Sequence, residues 1–172
     1  MTVKLVVAHD DRRGIGRGGD MPWHVPGEMR WLAKTTRTTT HPDRRNALIM
    51  GLTTYYSIPA QRRPLGGRTN IVVSSREPAL EAGAIPASDL DIALKLANHI
   101  DNVEDIYIFG GASVYEQAID QLIPEELLVT VIPGDFGCDR FFPEIPTAYR
   151  RVSSTPAEYD TITACHDIYV RA

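Results

Sequence analysis

Hydrophobic and polar positions in this chain fall into short blocks separated by glycine and proline. Residues 3–8 form a near-continuous apolar run with one Lys, the pattern of a strand covered on both faces. PGEMRWLAKTT (26–36) opens with Pro, carries Glu28 in the first turn and spaces Met29, Leu32 and Ala33 as a helix requires. NALIMG (46–51) reads as a buried strand, and LTTYYSI (52–58) as a short helix closed by Pro59. TNIVVSSR (69–76) is a third strand. Beyond a loop rich in Pro, Gly and Ala, DLDIALKLANHI (89–100) is strongly amphipathic, with Asp at its start. DIYIFGG (105–111) is then a strand, ASVYEQAI (112–119) a helix and ELLVTVI (126–132) another strand. From Tyr149 onward, YRRVSS and TACHDIYVRA alternate as two further strands would, a hairpin-like pair at one sheet edge.

Strands that alternate with helices imply a mostly parallel sheet with helices on both faces. No repeat, coiled-coil pattern or low-complexity linker interrupts this order, so the chain reads as one α/β domain.

Composition narrows the function. A hydrophobic content of 43% and a net charge of −4 describe a soluble globular protein and give no basis for nucleic acid as a partner. The charge is uneven: residues 1–76 hold 13 Lys or Arg against 5 acids, and residues 77–172 hold 5 against 17. Either folding interleaves the halves, or the N-terminal half grips a polyanionic ligand. Cys138 and Cys165 are too few for a disulfide framework and lack partners at zinc-finger spacing. His166 beside Cys165 reads as chance adjacency, and no metal is expected. The apolar run before His9, Asp10 and Asp11 is too short for a signal peptide or a membrane span, so a cytoplasmic protein with free thiols is the expectation.

Gly14, Gly16 and Gly19 in GIGRGGDMPW fit the G-x-G-x-x-G dinucleotide fingerprint. That fingerprint works by turning a strand straight into a helix whose N-terminus meets a pyrophosphate. Here Asp20, Met21, Pro22, Trp23 and Pro26 follow, and no helix can start before about Pro26. The glycines therefore read as a mobile loop ending in an apolar, aromatic lid. Two other places offer strand, glycine, helix: one at Gly51, the other at Gly110-Gly111. Each aims helix N–H groups at the sheet's carboxyl edge, where glycine lets a phosphate come close, although either alone also fits a plain tight turn. Ser74, Ser75 and Arg76 add hydroxyls and a guanidinium suited to an extra phosphate.

Five blocks, GIGRGGDMPWHVPGEMRWL, IMGLTTYYSIP, RPLGGRTNIVVSSR, IYIFGGASVYEQAI and LLVTVIPGDFGCDRFFP, resemble in order and approximate spacing the dihydrofolate reductase family. The resemblance covers residues 3 to about 143 and, by strand pattern only, the tail. It implies a three-layer α/β single domain over residues 1–172, with a central mixed, mainly parallel sheet of about eight strands flanked by helices. It implies reduction of 7,8-dihydrofolate to tetrahydrofolate with NADPH, binding of diaminopyrimidine or pteridine antifolates, no nucleic-acid or membrane partner, and a monomer.

The same resemblance puts the only active-site carboxylate at Glu28, which in the family bonds the pteridine's 2-amino edge and assists ring protonation. The surroundings agree, because a lone carboxylate among Met29, Trp31 and Leu32 gains proton affinity. Hydride transfer itself needs close approach and water exclusion rather than a nucleophile. A Glu at the third helical position also fits a plain helix start.

By the same matching, Val6, Ala8, Met29, Leu32, Ser57, Ile58, Leu65 and Phe109 resemble the walls of the folate slot. Arg68 resembles the arginine that pairs with the substrate's glutamate carboxylate, a fork-shaped contact for which Lys is a poor substitute. Thr130 resembles the threonine that bonds the catalytic acid, and Trp23 the residue that holds a water beside it. For the cofactor, Ala8, Ile15, Gly16, Gly19, Asp20 and Met21 match the lid, and Gly51, Leu52, Thr53 and Thr54 match one phosphate turn. Phe109, Gly110, Gly111, Ala112, Ser113, Val114 and Tyr115 match the other, with Ser74, Ser75 and Arg76 beside the 2′-phosphate. Tyr115 is expected near the nicotinamide ring and is grouped with Glu28, Trp23 and Thr130 as catalytic.

Four places depart from the family pattern. Leu52 stands where the family usually has Arg or Lys, a contact to the 2′-phosphate, so weaker discrimination between NADPH and NADH is expected. Tyr55 replaces the usual Trp, Cys138 a common Gly, and Gly66-Gly67 a Pro-Gly or Lys-Gly pair. Two rival readings stand beside the resemblance. A pyrimidine reductase of riboflavin synthesis shares the fold but gives no reason for the MPW lid. A non-catalytic nucleotide- or pterin-binding module sits poorly with intact Glu28, Trp23 and Thr130.

Overall fold

The computed structural model describes all 172 residues. Its strands are β1 (Val3–His9), β2 (Gly14–Gly16), β3 (Arg45–Gly51), β4 (Thr69–Val73), β5 (Ile85–Ala87), β6 (Val103–Gly110), β7 (Glu126–Val131), β8 (Arg140–Phe141), β9 (Tyr149–Tyr159) and β10 (Ile162–Arg171). Its α-helices are α1 (Pro26–Arg37), α2 (Leu52–Ser57), α3 (Leu90–His99) and α4 (Ala112–Asp120). Eight strands form one sheet in the order β5-β4-β3-β6-β1-β7-β10-β9, and β2 pairs with β8 apart from it. Neighbours from β5 to β7 are all parallel, while β10 runs antiparallel to both β7 and β9. No helix is long and apolar enough to cross a membrane.

The continuous apolar runs of the central strands follow from cover on both faces. Leu5, Val7, Ala47, Ile49 and Ile71 pack with Leu90, Ala93 and Ala97 of α3 and with Val114, Tyr115 and Ala118 of α4. Val6, Leu48, Met50 and Val72 face the other way, against Trp31 and Leu32 of α1 and Leu52 and Tyr55 of α2. Successive strand residues thus alternate between two cores, as the pleat requires.

Helix starts differ in a way that matters for chemistry. Asp89 caps α3 by accepting from Ile92 N at 2.8 Å. In contrast, α1 begins after Val25 with Pro26 and has no side-chain cap, so Glu28 is not used to close the helix start.

Chain direction places the crevice. From β1 the chain crosses to β3, leaving a slot that β6 fills; from β6 it crosses over β1 to β7. The carboxyl ends of β1, β3 and β6 therefore meet where the connections diverge, the position at which open α/β sheets bind ligands.

The elements expected from the hydrophobic pattern are present, with three differences. The glycine loop read as mobile carries the short strand β2, tied to β8, and an Arg17–Asp20 bridge. The loop read as irregular before α3 contains β5, an edge strand of three residues too short for alternation to reveal. And β6 begins at Val103, two residues before the expected start, directly after Asn102 turns the chain with φ 71°.

Candidate active site

Two glycine corners face one another at the carboxyl edge. Gly51 ends β3 and begins α2; Gly110, with φ 115°, ends β6, and Gly111 begins α4 without a side-chain cap. A Cβ on Gly51 would lie 3.4 Å from Val114 Cγ2 and 3.8 Å from both Gly110 O and Gly111 N. A Cβ on Gly111 would lie 3.0 Å from Thr54 Oγ1. Side chains here would fill the cleft, and the first N–H groups of α4, at Ala112, Ser113 and Val114, have no capping partner. Thr53 stands exposed beside them.

Glu28 is 2% exposed, and burial alone pushes its carboxyl up to about 7. No charged or hydrogen-bonding group contributes to that value. Around it the apolar wall is incompletely covered: Leu32, Ile58, Leu65 and Phe109 are partly buried against the core that contains Val6, and Ala8 is partly buried against Trp23 and Val25. Met29, expected in the same wall, stands 41% exposed. Ser57 is exposed too, and its hydroxyl donates to Thr54 O at 2.6 Å. Trp23 is buried edge-on to Phe136, and its Nε1 donor has no acceptor in the chain.

Two further residues grouped as catalytic line the sheet nearby, and one of them has a partner other than the expected one. Tyr115 is buried, and its hydroxyl lies 2.8 Å from Val6 O and 3.1 Å from Phe109 O. Burial, and secondarily the charge of Glu28, pushes the phenol far above its ordinary value, so the hydroxyl stays protonated while it bridges β1 and β6. Thr130 Oγ1 lies 2.9 Å from His166 Nδ1, rather than bonding Glu28 as expected. His166 is a residue whose role its sequence neighbourhood did not reveal. Its Nε2 lies 2.6 Å from Tyr159 Oη, and its ring stacks on Trp31 with centroids 4.0 Å apart.

Arg68 is 6% exposed, and no carboxylate lies opposite it. It donates from Nε to Gly66 O at 3.0 Å and from Nη1 to Thr36 Oγ1 at 2.9 Å. Burial, with Arg37 nearby, brings its guanidinium down to about 10. Thr36 is a second partner that sequence reasoning missed, since nothing in AKTTRTTT separates it from its neighbours. Beside this pair Arg30, Lys34 and Arg37 surround a groove of about 340 Å³ on the outer side of α1, which gathers part of the basic N-terminal half.

Ser74, Ser75 and Arg76 line a cavity of about 210 Å³ with Glu77, Pro86 and Ser88. Ser88, next to β5, joins from a segment that the sequence presented as loop. Leu52 packs on the core with Leu48 and Met50.

The lid is held at its base by Asp10, a fully buried carboxylate that accepts from Gly14 N at 2.8 Å, Arg12 N at 2.9 Å and Phe136 N at 3.0 Å. Gly14 must lack a side chain, because a Cβ there would lie 2.5 Å from Cys138 Sγ. Asp139, after Cys138, accepts from Gly18 N at 3.0 Å and donates its own N–H to Gly16 O at 2.9 Å. Ile15 packs inward, whereas Gly19, Asp20 and Met21 are exposed.

Comparison with known proteins agrees across the chain. A family model described as dihydrofolate reductase matches residues 2–171. The chain is 39% identical over 151 residues to the dihydrofolate reductase of Drosophila melanogaster, covering 87% of this chain and 83% of that protein. It is 40% identical over 149 residues to that of Sus scrofa, covering 83% and 80%. It is also 33% identical over 178 residues to the bifunctional dihydrofolate reductase-thymidylate synthase of Daucus carota, with 99% of this chain matched to 34% of the longer protein.

Proposed function

This chain belongs to the dihydrofolate reductase family, and from that premise we propose how its own residues carry the reaction. It reduces 7,8-dihydrofolate to 5,6,7,8-tetrahydrofolate with NADPH. NADPH, when bound, supplies the hydride. Gly51, Gly110 and Gly111, with the first turn of α4, would hold its pyrophosphate, because side chains at Gly51 or Gly111 would occupy that space. Ser74, Ser75, Arg76 and Ser88 would take the 2′-phosphate, and the stretch from Ile15 to Met21 would exclude water from above.

Glu28 carries this reading. Reduction adds a proton together with the hydride, and a buried carboxyl brought to about 7 holds a proton near neutral pH, where an exposed one would have lost it. In its ionised form the same group accepts from the 2-amino edge of the heterocycle. Trp23 Nε1, a buried donor with no acceptor, would orient a water toward that carboxyl. Arg68, buried without a counter-ion, would anchor the substrate's carboxylate through its fork. Val6, Ala8, Leu32, Ile58, Leu65 and Phe109 would enclose the flat ring. We read residues 1–172 as one domain that acts as a cytoplasmic monomer, in keeping with two unpaired cysteines.

The test is direct. The purified protein is expected to oxidise NADPH only when dihydrofolate is supplied, and a diaminopyrimidine is expected to compete with dihydrofolate. A protein that binds NADPH tightly yet leaves it unoxidised in the presence of dihydrofolate would be a binding module instead.

A further inference from the structure

Tyr55 and Tyr56, near the end of α2, both reach the segment that joins β4 to β5. The Tyr55 ring is fully buried, and its hydroxyl, which the family's usual Trp would lack, donates to Glu81 Oε2 at 2.5 Å. The exposed Tyr56 donates to Ala79 O at 2.7 Å. Arg63 completes the clamp: its Nε donates to Glu81 Oε1 at 3.1 Å, its Nη2 lies 2.9 Å from the same oxygen, and its guanidinium stands 5.4 and 5.3 Å from the centres of the two tyrosine rings. Leu80 and Ala84 press on the core beneath. One helix thus pins two residues of the loop between an inner strand and the edge strand β5.

That loop carries the cation of the serine-lined cavity. Arg76 and Glu77 are neighbours in sequence, opposite in charge, and both line it. Neither pairs with an opposite charge elsewhere in the chain, and Leu52 adds no second cation. Neighbouring side chains leave the backbone in different directions, so whether the cavity offers a phosphate the guanidinium or the carboxylate depends on how residues 76–78 are held. On one side Ser74 N is fixed by donating to Ala87 O at 2.9 Å. On the other, the fixed points after Pro78 are Ala79 O and the Glu81 carboxylate.

We propose that Tyr55 and Tyr56 are positioning residues for cofactor selection: by anchoring Glu81 and Ala79 they fix the wall that turns Arg76 toward the 2′-phosphate of NADPH. This rests on the serine-lined cavity being the 2′-phosphate site of the preceding section. NADH, which differs only in lacking that phosphate, gains nothing from the clamp.

Calorimetric Kd values for NADPH and NADH, taken on the full-length protein without dihydrofolate, test it. Tyr55→Phe and Tyr56→Phe each remove one hydroxyl, keep the ring and alter no charge. Each is expected to weaken NADPH about fivefold, the scale of one lost hydrogen bond, and to leave NADH unchanged. A structural role alone would lower Tm without changing the ratio of the two constants. In an Arg76→Ala background the same substitutions should have no further effect on NADPH, since the clamp acts through that guanidinium. If Arg76→Ala costs NADPH affinity while both tyrosine variants keep the parent ratio, the clamp only holds the loop and the proposal falls, with the cavity's role intact. An Arg76→Ala protein that keeps the parent ratio refutes the cavity's role, and the proposal with it. Should Tyr55→Phe fail to fold, Tyr56→Phe, at an exposed position, decides the matter alone.

Discussion

Arg68 donates to the hydroxyl of Thr36 across 2.9 Å, and Thr36 in turn donates to Leu32 O at 2.9 Å. The guanidinium is thereby aimed by α1 from inside the protein while its charge stays uncompensated. A buried cation without a partner destabilises the fold and persists where a ligand supplies the missing anion.

Substituting Arg68 should therefore separate stability from binding. Arg68→Met is expected to raise KM for dihydrofolate about 100-fold, from loss of roughly 3 kcal/mol of buried ion pairing, with kcat at saturation little changed. The same variant is expected to have a higher Tm without ligand, because desolvation already lowers the arginine to about 10 and its removal relieves that cost. Arg68→Lys keeps charge but lacks the fork, so it should recover only part of the affinity. A KM that stays near the parent value in Arg68→Met removes Arg68 from the substrate site.

Glu28 gives a pH signature in both activity and stability. Its carboxyl rises from 4.5 in the open chain to about 7 in the fold. Below 4.5 both states are protonated and burial costs nothing through this group; above that value the unfolded chain ionises first, and the penalty grows until the folded group also ionises. Glu28→Gln should thus leave stability unchanged near pH 4 and raise it by up to about 3 kcal/mol above pH 7, at about 1.4 kcal/mol per pKa unit. Turnover of the parent should fall as pH passes about 7, whereas Glu28→Gln should lose about 100-fold or more in kcat across the range with NADPH affinity kept. Denaturation at several pH values together with steady-state rates checks both.

Much of this was legible in the chain. The apolar runs of β1, β3, β6 and β7 announce strands covered on both faces, and the Gly51 and Gly110-Gly111 corners announce where those strands end. Glu28 was readable through the family blocks around it, because an acid at the third helical position alone fits a plain helix start equally well. Partnerships made across long separations were not. Asp10 looked like the polar end of an apolar run, yet its acceptors are used by backbone 126 residues away at Phe136. His166 sits in an alternating strand pattern that fixes its face but not its contacts, and Thr130 meets it only through sheet register. Short pairings such as β2 with β8 leave no period to detect, since a strand of two or three residues has no alternation.

Cofactor choice turns on Leu52 and Arg76. Leu52 is engaged with Leu48 and Met50, so it offers no charge to a phosphate, and Arg76 is the cation in the serine-lined cavity. Arg76→Ala should lower kcat/KM for NADPH about tenfold, the scale of one charge-assisted contact, and leave the value for NADH nearly unchanged. The parent enzyme should accordingly prefer NADPH less strongly than a relative carrying a cation at the Leu52 position. Rates with both cofactors decide this, and an undiminished preference after Arg76→Ala places the phosphate elsewhere.

Asp10 ties the lid to the sheet, and its replacement should loosen one without unfolding the other. Oδ1 accepts from Gly14 N and Arg12 N, and Oδ2 accepts from Phe136 N and the Cys138 thiol. These donors hold the carboxyl below its ordinary value despite burial. Asp10→Asn turns one acceptor into an NH₂ group facing other donors, leaving buried N–H groups unpaired at a cost of about 2–3 kcal/mol. Because the native carboxyl is depressed, that advantage of Asp over Asn is complete above 3.8 and declines as pH falls below it. The two proteins should therefore differ in denaturation midpoint at pH 7 and converge in strong acid. Limited proteolysis should cut Asp10→Asn first between Gly134 and Cys138, where Phe136 has lost its anchor, and KM for NADPH should rise as the lid loses its fixed root. Equal protease resistance of the two proteins would mean that the β2–β8 pairing holds the lid without Asp10.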